Sequence, residues 1–203
     1  MLNSKFPILF AFHDVVDAAR ERHSEIYDKW CAIDISLARL RKDTNSNTRF
    51  HLDANVDLVL RLAEEEQAEC FVKYSEHMMG GSAFFQIALS KMWLFSTFEL
   101  LRSSCEHSEC KPNQGKNYYC KEPDCYRCKV LCVKQNLSTF RVHLGKLETT
   151  TRRGGPSPER GIPELVFGAN GSIGWRSRDS DNSPVMTSRL QLSDEILAAL
   201  YCS

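Results

Sequence analysis

The chain has 203 residues, 42% of them hydrophobic and 26% charged, enough to bury a core in one domain with an elaboration. Its 26 basic and 26 acidic residues cancel, which argues against a general polyanion-coating role. The charge is nevertheless unevenly placed, with seven acids against two bases from Asp53 to Glu76 and eleven bases against five acids from Glu109 to Arg160.

The apolar start, Phe6 to Phe12, lacks a small-residue cleavage site and runs into His13-Asp14, so it reads as a helix start rather than a signal peptide. No stretch reaches the roughly 20 apolar residues that a bilayer span needs. The expectation is a cytoplasmic protein without a membrane segment. In that reducing setting clustered cysteines read as metal ligands rather than disulfides, and an odd total of nine fits poorly with full pairing.

In chain order, Pro7 suits a first helical turn, and Ile8, Phe12, Val15, Val16 and Ala19 recur at helical spacing. The pattern continues through Ile26 and Trp30 to a polar stop near 41–47. A second helix is expected from a cap at Asp53 or Asn55 through Val59, Leu62, Phe71 and Val72. Its Glu64-Glu65-Glu66 run reads as a solvated face, and Gly80-Gly81 ends it. Ser82 then caps a helix from Ala83 to about Ser104 that is apolar on nearly all sides, as in the middle of a bundle. A fourth helix begins near Pro123-Asp124 and runs through Val130, Leu137, Phe140 and Leu147. After a Gly/Pro-rich linker, Asn170-Gly171 between two apolar runs predicts a β-hairpin with a type I′ turn. Ser193 is expected to cap a final short helix.

The connection between the third and fourth helices holds six cysteines and a histidine: Cys105, His107, Cys110, Cys120, Cys125, Cys128 and Cys132. Two pairs, His107-x2-Cys110 and Cys125-x2-Cys128, stand 14 residues apart, so that each can grip one tetrahedral ion from a tight turn. A thiolate-rich closed tetrahedron leaves no position for substrate, which makes the expected zinc structural. The candidate ligands are Cys110, Cys125 and Cys128, with His107 or Cys120 as the fourth. A connection of about twenty residues is long for a bundle, and a metal would hold it. Lys111, Lys116, Tyr118, Tyr119, Lys121, Tyr126, Arg127, Lys129 and Lys134 give the same region cations for phosphates and rings for unpaired bases.

Arg102-Ser-Ser-Cys-Glu-His107 is an Arg-x4-His element at the end of the apolar helix. It resembles the motif of the HEPN helical-bundle family, whose active members are metal-independent ribonucleases, often dimeric, of toxin and antiphage systems. The resemblance implies that Arg102 binds phosphate and His107 acts as the acid/base, and it implies a homodimer. Ser103 stands where that family usually has Asn, Asp or His. Zinc competes with this reading for His107, because an imidazole bound to a structural ion cannot also carry protons.

No Gly-x4-Gly-Lys-Ser/Thr loop, His-Glu-x-x-His or Gly-x-Ser-x-Gly occurs. The expected whole is mainly α. Residues 1–150 form a helical bundle with a zinc-stapled insertion at 105–128, and 151–203 supply a linker, a β-hairpin and a terminal helix packed on the bundle. Its expected function is that of a non-enzymatic binding or regulatory protein whose partner is nucleic acid or another protein. The alternative is a HEPN-like ribonuclease.

Overall fold

Helical periodicity builds most of the molecule. A computed structural model of the chain describes residues 7–41, 47–74, 81–105, 124–145, 164–178 and 184–201. In order these form α1 (Pro7–Arg22), α2 (Ser24–Arg41), α3 (Asn47–Tyr74), α4 (Gly81–Cys105), α5 (Tyr126–Gly145), β1 (Glu164–Phe167), β2 (Ile173–Arg178), β3 (Pro184–Ser188) and α6 (Arg189–Leu200). The protein is thus mainly helical, with one small antiparallel sheet.

The single run expected over 7–41 is divided at His23. Backbone bonds from His23 N to Ala19 O and from Tyr27 N to His23 O, both 3.0 Å, carry the ladder across the break. α3 begins at Asn47, ahead of the expected caps, and Asp53 and Asn55 lie inside it. It packs against α1, α2 and α4, and its Ala54, Leu58 and Leu60 are fully buried.

One continuous apolar cluster joins Trp30 and Leu37 of α2, Trp93 and Phe98 of α4, Val130 of α5, Trp175 of β2 and Leu197 of α6. Sheet and terminal helix therefore share the core of the helical part. Burying each such side chain stabilises by about 1.5–3 kcal/mol, so the fold depends on all of these elements together. α4 is less central than its composition suggests. Its Trp93, Leu94, Phe98 and Leu101 are buried, but Phe84, Phe85 and Met92 face outward.

The sheet order is β1-β2-β3, with Phe167 opposite Ile173 and Trp175 opposite Thr187. The expected hairpin is present, but its turn differs. A type I′ turn needs positive φ at both central residues, and here only Gly171 has it, at 71°. Gly171 N donates to Gly168 O at 3.0 Å and Gly168 N to Ser172 O at 2.9 Å. The result is a type I turn over Ala169-Asn170 closed by a left-handed glycine. β3, which the sequence reading lacked, runs straight into α6. The cap of α6 is Ser188, whose Oγ accepts from Gln191 N at 3.0 Å, and not Ser193, which is fully buried.

Candidate functional site

Two places concentrate reactive side chains: the α4–α5 junction, where the sequence puts its cysteines, and a charged cluster inside the core.

At the junction, Cys105 is the last residue of α4 and packs with Tyr126, the first of α5, against the hydrophobic core. Burial pushes the Cys105 thiol up from its ordinary value, with the nearby Lys134 ammonium acting the other way. The same coupling places the third turn of α5 beside the end of α4. Asp124, at φ 63°, turns the chain into α5; a short polar side chain tolerates that left-handed conformation better than most. Cys125 O then accepts from Lys129 N at 3.2 Å, so Cys125 stands at the helix start, where backbone N–H groups favour a thiolate.

Along α5, Val130, Val133 and Leu137 form the buried side. Cys128 and Cys132, one turn apart, lie on the other side, and Cys132 is exposed. The cysteines thus divide into Cys105, a small hydrophobe of the core, and the α5 thiols directed away from it. Among the described residues no three His, Cys, Asp or Glu side chains converge as a metal site. The candidate ligands Cys110, Cys120 and His107 lie outside the described residues. So do Lys111, Lys116, Tyr118, Tyr119 and Lys121.

Arg102 sits on an outward face of α4, and its Nε donates to Glu99 Oε2 at 2.6 Å, one turn back. Of the described basic residues nearby, Lys129 lies 3.7 Å from Asp124. Arg127 and Lys134 share a helix face seven residues apart. On α2, burial pushes the Cys31 thiol up, as expected of a cysteine in apolar surroundings.

The second place was not anticipated. Asp57, Arg61 and Glu64 recur at i, i+4 and i+7 on one face of α3, and Arg189 enters between the carboxylates from α6. Glu64 is therefore no part of a solvated face; it is 1% exposed, like Arg189 at 0% and Asp57 at 0%. The Arg189 guanidinium meets Glu64 in a bidentate pair, Nε to Oε1 at 2.7 Å and Nη2 to Oε2, and reaches Asp57 Oδ1 through Nη1. Asp57 Oδ2 accepts from Trp30 Nε1 at 2.8 Å and from Arg61 Nε at 3.0 Å. Arg61 Nη2 continues to Ser193 Oγ at 2.8 Å and Asp194 Oδ1 at 2.6 Å. Trp93 offers its ring to Arg189 at 5.4 Å.

The hairpin turn closes this cluster. Ser172 Oγ donates to Glu64 Oε1 at 2.8 Å and accepts from Leu190 N at 3.1 Å, while Gln86 Nε2 donates to Gly171 O at 2.9 Å. A Cβ on Gly171 would stand 2.0 Å from Glu64 O, so only glycine allows this approach. Burial alone would raise the Asp57 carboxyl, but Arg189 and then Arg61 outweigh it and hold the group below its ordinary 3.8. Burial likewise opposes the Arg189 charge, and Asp57 and Glu64 overcome that and raise it. Each carboxylate oxygen here is occupied by a donor from the protein. Paired carboxylates of this kind, buried and each taking three donors from the protein, tie elements together.

No protein-family model, curated protein or solved structure matches this chain.

Proposed function

We propose that the protein is a non-enzymatic binding or regulatory module whose α4–α5 connection is held by one structural zinc. Cys110, Cys125 and Cys128 are the ligands, with His107 or Cys120 as the fourth. The observation that supports this most is the arrangement of thiols at the junction. Cys125 immediately precedes α5 and Cys128 stands in its first turn, opposite the buried Val130, Val133 and Leu137, whereas Cys105 is half-buried and packs against the core. Two thiols three residues apart at a helix start, off its buried side, suit a metal better than a role as core packing. The basic and tyrosine-bearing residues around them suit single-stranded nucleic acid, with Lys121, Arg127 and Lys134 on phosphates and Tyr118 and Tyr119 on bases.

The test is elemental analysis of protein purified without added metal, then of Cys125→Ser and Cys128→Ser. About one zinc per chain in the wild type, lost in both variants together with a lower melting temperature, is the expected result. Metal-free protein with an unchanged melting curve in both variants removes the reading. Mobility shift at low salt with mixed single-stranded RNA and DNA checks the partner, and absence of any shift transfers the role to a protein partner. The exposed position of Arg102 favours one second reading, a HEPN-like ribonuclease using Arg102 and His107. RNA cleavage in chelator, abolished by Arg102→Ala and His107→Ala, would establish it against zinc.

A further inference from the structure

The outward face of α4 is apolar in its first half, independently of the junction at its other end. Phe84 is 74% exposed, Phe85 50% and Met92 65%, and Ala88 between them is also exposed. Phe85, Ala88, Met92 and the half-exposed Phe95 recur at intervals of three, four and three residues, the spacing of a helix–helix seam. The buried Gln86, Ser90, Trp93 and Thr97 occupy the opposite side. The stripe ends where Glu99 pairs with Arg102.

From these observations we infer that this face is where two copies of the chain associate, by antiparallel pairing of their α4 helices about Ala88. A two-fold axis at Ala88 sets Phe84 of each copy opposite Met92 of the other, and Phe85 opposite Lys91. Phenyl–thioether and phenyl–ammonium contacts are both favourable, and each occurs twice, as an isologous interface requires. The small Ala88 at the axis lets the backbones approach. No like charges meet in this register, and the zero net charge of the chain opposes association of copies no further.

Large apolar side chains in the shorter stretches outside the described residues are Met1, Leu2, Phe6, Met78 and Met79. The two longest stretches outside the described residues, 106–123 and 146–163, carry only Tyr118, Tyr119, Leu147 and Ile162 as large apolar side chains. Phe84, Phe85 and Met92 together expose about 350 Å² of side chain, the size at which an exposed patch marks an interaction site. With Ala88, Lys91 and Phe95 the face reaches over half of the roughly 800 Å² that each partner contributes to a stable complex. An interface of that size belongs to the weak, transient class.

Sedimentation equilibrium from about 5 to 200 μM, bracketing a micromolar dissociation constant, tests the pairing. The wild type should pass from 23.2 kDa to twice that mass. Phe84→Lys alone and Met92→Glu alone should each stay monomeric. Phe84→Lys with Met92→Glu in one chain should regain the dimer, because the new charges face each other across the axis. Ala88→Arg, which sets two guanidinium groups against each other, should dissociate it without altering an aromatic residue. All these positions are exposed, so far-ultraviolet circular dichroism and melting should stay as in the wild type. A wild type that remains monomeric, or single variants that remain dimeric, overturns the proposal. A double variant that stays monomeric overturns the antiparallel register.

Discussion

The chemically potent side chains of this chain fall into two regions built in opposite ways. Around Arg189, three helices and a hairpin turn bring charges into the core, and each carboxylate oxygen of Asp57 and Glu64 receives a protein donor. At the α4–α5 junction the core takes in one thiol, Cys105, while α5 turns Cys128 and Cys132 away from its buried side. The first region is closed, since its groups are used up on one another. In the second, Cys128 is half-buried and Cys132 exposed, both off the buried side of α5. Chemical potency at a position thus says little until its partners are known, and here the densest cluster of charge serves architecture.

The comparison breaks most directly at Arg189. Arg189→Met leaves buried Glu64 without its counter-charge and Asp57 with Arg61 alone, and should cost about 3–5 kcal/mol in urea unfolding, enough to melt a marginal domain. The linkage has a definite sign. Asp57 is held below 3.8, so its stabilisation is present above pH 3.8 and is lost as pH falls through the depressed value. Asp57→Asn should therefore be less stable near neutrality and show a flatter acid limb. A loss under about 1 kcal/mol for Arg189→Met would mean that apolar packing alone holds α6.

Gly171→Ala probes the same closure from the turn. Left-handed φ and a collision with the Glu64 carbonyl should together cost about 2 kcal/mol, with the hairpin displaced rather than the helices unfolded. Hydrogen exchange should then speed up in β1 and β2 before α3 and α4.

A smaller effect lies on the rim of the cluster, at His23. Burial lowers its pKa below 6.5, aided by Arg61 and Arg22 and opposed by Glu65 and Asp57. Below pH 6.5 the unfolded chain takes up a proton that folded His23 resists, so stability declines as pH falls through that window and is unaffected above it. His23→Gln should remove this slope from pH-dependent melting curves. The smallest effect is expected at the open region. Cys132→Ser, at an exposed position outside the proposed ligand set, should stay within about 0.5 kcal/mol of wild type. A large loss there would show that Cys132 is tied into the junction.

How far the sequence disclosed this follows from the range of the interactions. The helices were legible because apolar periodicity is local, and the hairpin because Asn170-Gly171 is a local signal. The turn type was not, because the fit of Gly171 against Glu64 decided it. Short β3 has only Val185-Met186-Thr187 to mark it, and Ser193 resembles a cap while its hydroxyl is taken by Arg61. The helical spacing of Asp57, Arg61 and Glu64 was visible, yet alternating charge on one face usually means solvent. What distinguishes this face is Arg189, 125 residues from Glu64, and no window along the chain contains both. At the junction the cysteine spacing was fully legible. The separation of Cys105 as a core residue was not, because it depends on where α5 lands.

That long interval also orders events during synthesis. Ribosomes release a chain from its first residue onward, so Asp57 and Glu64 emerge long before the guanidinium that neutralises them, 132 and 125 residues later. Until then α3 cannot bury this face without leaving Glu64 uncompensated and Asp57 with Arg61 alone. Arg189 then acts as a late arrival whose insertion commits the whole molecule at once. A nascent chain stalled before it should be open to proteases along α3, and one stalled after α6 has cleared the tunnel should not.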